Sequence, residues 1–353
     1  MKRLRLCFLL PLSIFCYQMT AQVDDLMRDK NITWIAESYN DFLTDYMAQE
    51  KLGKRISGVR LLKFYNPNGE DMPEEFVLQH FILELAKADK LAIYKDDKCT
   101  QPTTYGKASG SVDTLDLENI TTYETKTCRM VEGLIYDEDI LFFRAHQIVY
   151  YDSSKVQFGL RTLSIAPMMK VTDESGSIIN WKPLFWMQAI DLIEKRNLLD
   201  ESIIFAKRMV LIDGIALKAD SVKILKQLGA DMPLRHLRRE VLTNPEILFY
   251  RADEITIRTT FNMVERKNLF IQRDSIFAFA PTTYTLEKRV EVNVREIKEA
   301  DMKELRIVQN WYWDDKKKQL QIWLWGTGPL IDIKNEASEF LFKRPLFYRR
   351  TDD

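Results

Sequence analysis

The sequence contains three histidines, and histidine is the residue that most often carries acid–base chemistry or binds zinc. They are His80, His146 and His236. No two of them stand at the short spacing that a zinc site requires, and His236 lies among arginines in the segment RHLRR. We interpret each as an ordinary structural or surface histidine and expect no metal site.

Other patterns that mark catalytic sites are absent from the sequence. It has no glycine-rich phosphate-binding loop and no Gly-x-Ser-x-Gly segment. Carboxylates are numerous enough for a glycosidase-type pair, and Glu174 and Glu336 recur at equivalent places in the repeat described below. A hydrolase is therefore an open alternative, but we predict that the protein is not an enzyme and binds no cofactor.

A segment of 43 residues occurs twice in the chain. Residues 144–186 align without a gap on residues 306–348, and eleven positions are identical. Chance identity at typical composition would be roughly 6 per cent. The identical pairs include Gln147/Gln309 and Asp152/Asp314. We interpret the segment as one structural unit that the chain uses twice.

Each copy of this segment predicts a β-hairpin, because a strand-like run is followed by a charged break and a second, alternating run. In the second copy one face carries Leu320, Ile322 and Leu324, and the other carries Gln321, Trp323 and Trp325. Asp152 and Asp314 suit the first position of a type I turn. Pro167 and Pro329 are expected to end the second strand, since proline cannot donate to a strand ladder.

Weaker similarities extend the repeat upstream and predict two tandem domains, at 32–187 and 195–349. The segment 31–48 places apolar side chains at helical spacing and predicts an amphipathic helix. Further helices are predicted after Pro73, over 189–199 and over 220–229. We therefore predict an α+β fold with two tandem copies of a unit, each with N-terminal helices and an antiparallel sheet rich in hairpins.

Residues 1–21 have the pattern of a secretory signal peptide, with a basic start, an apolar run and the small residue Ala21. Cys16 is a poor lipid-attachment site because Phe15, not a small residue, precedes it. Removal of the segment would change the formal charge from −1 to −4, which lacks the basic excess of a nucleic-acid binder. No later stretch has the roughly 18 apolar residues of a transmembrane helix.

Two cysteines, Cys99 and Cys128, would remain in an oxidising compartment after removal of the signal peptide. A disulfide between them would contribute roughly 3–4 kcal/mol for a loop of this length. Two separately buried thiols are the alternative, because the sequence does not show whether the Cβ atoms approach each other.

Four tryptophans are concentrated in the second hairpin. They are Trp311, Trp313, Trp323 and Trp325. Both faces of this hairpin carry large apolar groups, so the rest of the domain or a partner chain must cover at least one of them. The alternation favours packing into a core for one face, and we expect the tryptophans to contribute to a partner interface. A surface that stacks on a sugar or a peptide is the alternative.

The order of motifs in the first copy resembles the gliding-motility GldN/PorN family. The succession is WIAESYNDFL, then LAIYKDD, then an aromatic-Asp hairpin and a closing KPLFWM. The residues that match the hairpin, the tripeptide and the closing motif of the family are Tyr151, Asp152, Ile165, Ala166, Pro167, Pro183, Leu184, Phe185 and Trp186. The match covers roughly residues 32–187.

This resemblance implies a non-enzymatic periplasmic component of the type IX secretion and gliding machinery of Bacteroidetes-type bacteria. Members of the family assemble with an outer-membrane lipoprotein, GldK/PorK, into large rings and contact the periplasmic part of GldM/PorM. For this chain it implies protein partners of these two kinds, an oligomeric state and a periplasmic location at the outer membrane. A periplasmic protein that binds a sugar or peptide on its aromatic hairpin is the alternative.

Overall fold

The structure, a computed structural model, describes residues 23–44, 60–64, 77–109, 139–172, 175, 177–211, 213–217, 222–229, 232–251, 259–279, 286–334 and 340–351. The strands are β1 (Ile32–Leu43), β2 (Arg60–Phe64), β3 (Ile93–Tyr94), β4 (Pro102–Thr103), β5 (Ile140–Asp152), β6 (Gln157–Thr172), β7 (Ile178–Pro183), β8 (Ala189–Leu192), β9 (Ile203–Val210), β10 (Ile215–Ala216), β11 (Lys223–Gln227), β12 (Ile271–Phe279), β13 (Leu286–Glu296), β14 (Glu304–Asp314), β15 (Gln319–Lys334), β16 (Phe340–Pro345) and β17 (Arg349–Arg350). The helices are α1 (Val77–Lys87), α2 (Tyr105–Ser109), α3 (Met232–Thr243) and α4 (Met263–Leu269), with a short helix at 23–28 and a 3₁₀ turn at Glu299–Asp301.

Most of the strands form two sheets that pack against each other. The first sheet has the order β11-β1-β5-β6-β7, and the main path of the second is β16-β15-β14-β9-β2. The ring of Trp311 in the second sheet lies 5.5 Å from that of Phe42 and 5.7 Å from that of Phe143 in the first. One hydrophobic cluster therefore contains side chains of both sheets. With its helices and many antiparallel strands, the fold is of the α+β kind, and strands predominate.

Asp152 and Asp314 each fix a hairpin turn, as predicted. Asp152 Oδ1 accepts hydrogen bonds from the backbone N–H groups of Ser154, at 2.9 Å, and Lys155, at 3.2 Å. Asp314 Oδ1 accepts one from the backbone N–H of Lys317, at 3.0 Å. A carboxylate in this position satisfies turn amides that the strand ladder leaves unpaired. The two predicted hairpins, β5–β6 and β14–β15, are confirmed.

The shift of 162 residues that relates the two sequence segments also relates their strands. β6 and β15 begin and end at residues that differ by 162, and so do β7 and β16. The first strand of each hairpin has a bulge at the same place, directly before Gln147 in β5 and directly before Gln309 in β14. The residues that close the two turns, Val156 and Lys318, both have a φ of 52°. The two sheets thus contain the same arrangement of hairpin and edge strand.

Two strands, β2 and β11, are exchanged between the two sheets. β2 follows β1 but pairs with β9 of the second sheet, where Phe64 lies opposite Phe205. β11 follows β9 and the short β10 but pairs with β1 of the first sheet, where Gln227 lies opposite Trp34. Each sheet is therefore completed by a strand that comes from the other half of the chain.

The helix after each exchanged strand packs on the same foreign sheet. The ring of Phe81 in α1 lies 5.6 Å from that of Trp313 in β14. In α3, His236 Nδ1 lies 2.9 Å from the hydroxyl of Tyr151 in β5. The predicted domains at 32–187 and 195–349 thus each contribute a strand and a helix to the other's sheet.

Three segments predicted as helices contain strands instead. The segment 31–48 contains β1, 189–199 begins with β8, and 220–229 contains β11. The first part of β1 is buried on both faces, as the 2% exposure of Trp34 and the 0% exposure of Ile35 illustrate. Apolar residues at adjacent positions of such a strand also fit a helical period, which explains the wrong prediction. The helix predicted after Pro73 is confirmed by α1.

The prediction that Pro167 and Pro329 end their strands is wrong, because β6 and β15 continue beyond them. The carbonyl oxygen of Pro167 accepts a hydrogen bond from the N–H of Leu184, at 3.0 Å, and that of Pro329 accepts one from Leu346, at 2.9 Å. Proline lacks a donor but keeps its acceptor. The carbonyl groups therefore anchor the returning chain at these two positions.

Candidate functional site

The four tryptophans predicted to form a partner interface are buried within the chain. Trp311 and Trp313 are 0% exposed, Trp323 is 2% exposed and Trp325 is 4% exposed. The first two belong to the core cluster between the sheets, and the other two belong to a second cluster that includes Tyr348. Side chains with so little accessible surface cannot form an interface on the folded chain. The prediction is therefore corrected: these indoles stabilise the fold.

The chain itself covers the face of the hairpin that carries Trp325. The ring of Tyr348 lies 5.6 Å from that of Trp325. The guanidinium groups of Arg208 and Arg350 lie over the same indole, at 4.7 and 5.9 Å from the ring centroid. Such cation–π contacts hold the arginine side chains flat on the aromatic surface. The sequence left open whether the rest of the domain or a partner chain covers this hairpin. In the structure, other residues of the same chain cover it.

The residues that match the family motifs hold the strands of the first sheet together. Tyr151, Ile165, Ala166, Pro167, Leu184, Phe185 and Trp186 are buried, Asp152 is half-buried, and Pro183 is exposed. Ile165 and Met187 exchange two backbone hydrogen bonds of 2.9 and 2.8 Å, and Trp186 and Tyr94 exchange two of 2.8 Å. The motif residues thus position β6 and the chain that follows β7.

A cluster of polar side chains lies on the face of the first sheet that points away from the second. Its members are Glu37 and Tyr39 of β1, His146 of β5, Lys223 of β11 and Asp97 of the loop after β3. His146 Nε2 lies 2.8 Å from Glu37 Oε1, and Lys223 Nζ donates to Glu37 Oε2 at 2.7 Å. The ring of Tyr39 stacks on that of His146 at 4.5 Å, and its hydroxyl donates to Asp97. We name this group the Tyr39 cluster.

Two members of the Tyr39 cluster have fixed charge states at neutral pH. Burial opposes the ionisation of Glu37, but hydrogen bonds from Lys223 and His146 outweigh it and lower the pKa of Glu37. Burial and the hydrogen bond to Asp97 raise the pKa of Tyr39 far above its ordinary value. Glu37 is therefore an ionised carboxylate and Tyr39 a neutral phenol at pH 7.

The Tyr39 cluster was not predicted from the sequence, although a signal for it exists. Glu37, Tyr39 and Asp41 alternate along β1 and therefore share one face. Asp41 accepts two hydrogen bonds from Arg144 of β5, at 2.7 and 2.9 Å, so the polar row continues along the sheet. The segment 31–48 was predicted as a helix, and on a helix these three side chains would point in different directions. The row on one face of β1 was therefore not recognised.

A cleft of about 610 Å³ lies between the two sheets, beside the turn of the first hairpin. Its lining includes Arg161, Asp191, Gln309 and Trp323. Gln309 is 0% exposed; its Oε1 accepts a hydrogen bond from Trp311 Nε1 at 2.9 Å, while its Nε2 has no partner among the described residues. A buried amide donor without a partner is costly to the fold.

Gln147, which occupies the equivalent position in the first hairpin, uses both ends of its amide. Its Oε1 accepts from Asn40 Nδ2 at 2.9 Å, and its Nε2 donates to Thr162 Oγ1 at 3.0 Å.

The backbone N–H of Thr162 in turn donates to Asp191 Oδ2 at 2.6 Å. Burial raises the pKa of Asp191 to about 6, despite this hydrogen bond.

Several predicted features fall outside the described residues: the signal peptide at 1–21, Glu174, Glu336 and Cys128. Cys99 is buried, and its disulfide with Cys128 stays a prediction. Within the described part of the chain, no three or more His, Cys, Asp or Glu side chains are grouped so that they could hold a metal ion. None of the described helices combines the length and the apolar character needed to cross a membrane.

Part of the chain matches a known family model. Residues 61–207 match the family model described as Gliding motility associated protein GldN. The matched range begins in β2 and ends in β9, covers about two fifths of the chain and includes every motif residue from Tyr151 to Trp186. No curated protein matches the chain. This range contains the first hairpin, most of β2 and part of β9. Over it the chain is therefore similar to GldN, the family that the sequence motifs resemble.

Proposed function

We propose that this protein is a non-enzymatic structural subunit of a gliding-motility or type IX secretion complex. The observation that carries the proposal is the match of residues 61–207 to the GldN family. The arrangement of side chains agrees with it, because most of the motif residues are buried and serve packing. The proposed partners are an outer-membrane lipoprotein of the GldK/PorK kind and a periplasmic protein of the GldM/PorM kind, in an oligomeric ring.

The proposed location is the periplasm, in association with the outer membrane. It rests on the signal-peptide pattern of residues 1–21 and on the family resemblance. The proposal also includes a duplication, in which 32–187 and 195–349 are two copies of one unit. The shared strand boundaries, bulges and turn conformations of the two hairpins support it.

Affinity purification of the tagged protein from chemically crosslinked cell envelopes tests this function. Mass spectrometry of the purified material should identify an outer-membrane lipoprotein and a periplasmic partner. A matched variant that lacks residues 2–21 should not be exported and should lose both partners. Recovery of the exported protein without any envelope protein would overturn the proposal.

The second candidate is a periplasmic protein that binds a sugar or a peptide. The cleft between the sheets favours it, because its lining combines the polar side chains of Arg161 and Asp191 with Trp323. Against it, Trp323 is only 2% exposed and offers little surface on which a ligand could stack. A ligand-binding protein should be a monomer whose tryptophan fluorescence changes when an oligosaccharide or peptide mixture is added.

A further inference from the structure

The two helices that pack on the sheet of the other half make similar aromatic contacts with different chemistry. The ring of Phe81 in α1 packs edge to face on that of Trp313, with centroids 5.6 Å apart and an interplanar angle of 79°. The ring of His236 in α3 packs on that of Tyr151 in the same way, at 5.9 Å and 81°. Tyr151 and Trp313 occupy equivalent positions of the two hairpins, 162 residues apart. One contact is therefore apolar, whereas the other contains a group that titrates near neutral pH.

A hydrogen bond joins Tyr151 to His236. The phenol is 0% exposed, and burial raises its pKa far above the ordinary value, so the phenol keeps its proton and is the donor. Its hydroxyl lies 2.9 Å from Nδ1 of the imidazole, which accepts the bond only when this nitrogen carries no proton. Protonation of His236 turns Nδ1 into a donor, so the buried phenol proton loses this acceptor. The loss weakens the packing of α3 on the first sheet.

The surroundings of His236 disfavour its charged form. Burial lowers its pKa, and the guanidinium group of Arg239 acts in the same direction. Glu240 opposes them, since its Oε1 lies 3.6 Å from Nε2 of the imidazole. This carboxylate also accepts hydrogen bonds from Arg239, at 3.0 Å, and from Asn244, at 3.2 Å. Burial is the largest of these effects, so the folded protein holds the imidazole neutral below pH 6.5, where the unfolded chain becomes protonated.

Other charged groups on the elements around α3 have partners of their own. Arg238 donates to Glu296 of β13 and, at 3.3 Å, to Glu299 of the 3₁₀ turn. Arg266 of α4 donates to two backbone carbonyl oxygens in the chain after α3, both at 2.7 Å. On the side of the sheet, the carboxylate of Asp152 accepts from the amides of its hairpin turn. Protonation of the imidazole is therefore the change of charge that mild acid brings to this contact.

We propose that protonation of His236 releases α3, together with the exchanged strand β11, from the first sheet. Four residues, 228–231, separate β11 from α3, so movement of the helix also disturbs the strand. The contribution of the contact to stability is complete above pH 6.5 and decreases as the pH falls toward the lowered pKa of the imidazole. The contact of Phe81 with Trp313 does not titrate. The exchange of segments between the two halves is thus sensitive to acid at one sheet.

Hydrogen exchange of the full-length exported chain tests this release. Mass spectrometry follows peptides from α3 and β11 and, for comparison, peptides from α1 and β2, at pH 7 and at pH 5. The rates are corrected for the intrinsic dependence of amide exchange on pH. We expect α3 and β11 to lose more protection at pH 5 than α1 and β2, because local opening of the first pair becomes easier in acid.

Two variants assign the effect to one histidine. His236→Gln should abolish the additional loss of protection in α3 and β11, because the side-chain amide oxygen can accept from Tyr151 and does not titrate. The matched control is His80→Gln, which replaces a half-buried histidine of α1 and should leave that loss unchanged. Circular dichroism at pH 7 verifies that both variants are folded. The comparison of the two pairs of segments in the unmodified chain needs no variant, so it decides even if a substitution unfolds the protein.

Three results would overturn the release of α3. The first is full protection of α3 and β11 in the unmodified chain at pH 5. The second is a loss of protection in the His236→Gln variant as large as that in the unmodified chain. The third is disappearance of the loss in the His80→Gln variant, which would assign the effect to the other helix.

Discussion

Phe64 lies opposite Phe205 in the antiparallel register of β2 and β9, although 141 residues separate them in the chain. The reciprocal pairing of Gln227 with Trp34 joins β11 to β1 in the other sheet. Contacts between such distant residues form only after a large loss of chain entropy. Each half of the chain therefore depends on the other to complete its sheet.

The first prediction concerns the two halves produced as separate polypeptides, residues 23–193 and 194–353. Each half lacks an edge strand and a covering helix, so we expect neither to unfold cooperatively on its own. When mixed, the halves should exchange these segments and form a one-to-one complex. Thermal circular dichroism and size-exclusion chromatography measure both properties. A half that unfolds cooperatively by itself would show that the exchange is dispensable.

The second prediction concerns the buried tryptophans. Trp311→Ala and Trp323→Ala should each lower the free energy of unfolding by about 3–5 kcal/mol, because each leaves a cavity in a packed core. Leu199→Ala, at a side chain that is 87% exposed, should change it by less than about 0.5 kcal/mol. Urea titrations provide the measurement. A Trp323→Ala variant with normal stability and lost partner binding would restore the interface interpretation.

The third prediction compares the equivalent glutamines of the two hairpins. Gln147→Leu leaves Asn40 and Thr162 without their partner and should cost about 1–3 kcal/mol of stability. Gln309→Leu removes one hydrogen bond with Trp311 but also a buried donor without a partner among the described residues, so its cost should be smaller. Denaturant unfolding of both variants measures the two losses of stability and shows whether that of Gln147→Leu is the larger. Equal costs would mean that Gln309 Nε2 is satisfied in solution.

The fourth prediction concerns Asp191, whose pKa is raised by burial to about 6 from an unfolded value of 3.8. Between these two pH values the folded protein holds a proton that the unfolded chain has lost, so this contribution to stability falls as the pH rises from about 4 to about 6. Asp191→Asn does not titrate and should be more stable than the unmodified protein at pH 7, by about 1–2 kcal/mol after allowance for solvent screening. The difference should shrink at pH 4.

Thermal unfolding of the Asp191→Asn variant at pH 4 and pH 7 measures this effect. Asp25→Asn is the matched control, because Asp25 is exposed and lies far along the chain from the cleft. Its difference from the unmodified protein should be small at both pH values. A constant difference for Asp191→Asn across this range would show that the carboxyl group is solvated in the folded protein.

Local features of the sequence predicted the hairpins correctly. Asp152 and Asp314 bond amides two or three residues away, so the turns depend only on neighbouring residues. The alternation in β15 separates Leu320 and Ile322 from Trp323 in two different clusters, as expected for a strand with two buried faces. Short-range chemistry therefore specified these elements.

Longer-range features were beyond the sequence pattern. β11 was predicted as a helix, yet its residues pair with β1, which begins 191 residues earlier in the chain. Nothing local to Lys223 identifies Glu37 as its partner, because the contact depends on the exchange of strands. The Tyr39 cluster combines β1, β5, β11 and a loop, so a correct assignment of β1 would have identified only the row of Glu37, Tyr39 and Asp41.

The size of the particle that contains this protein in cell envelopes is the most direct test of its role as an assembly subunit. The measurement is sedimentation of the tagged protein after mild detergent extraction of crosslinked envelopes. A structural subunit should sediment as a large particle that contains an outer-membrane lipoprotein. A small monomeric species without an envelope partner would contradict that role and favour ligand binding in the cleft between the sheets.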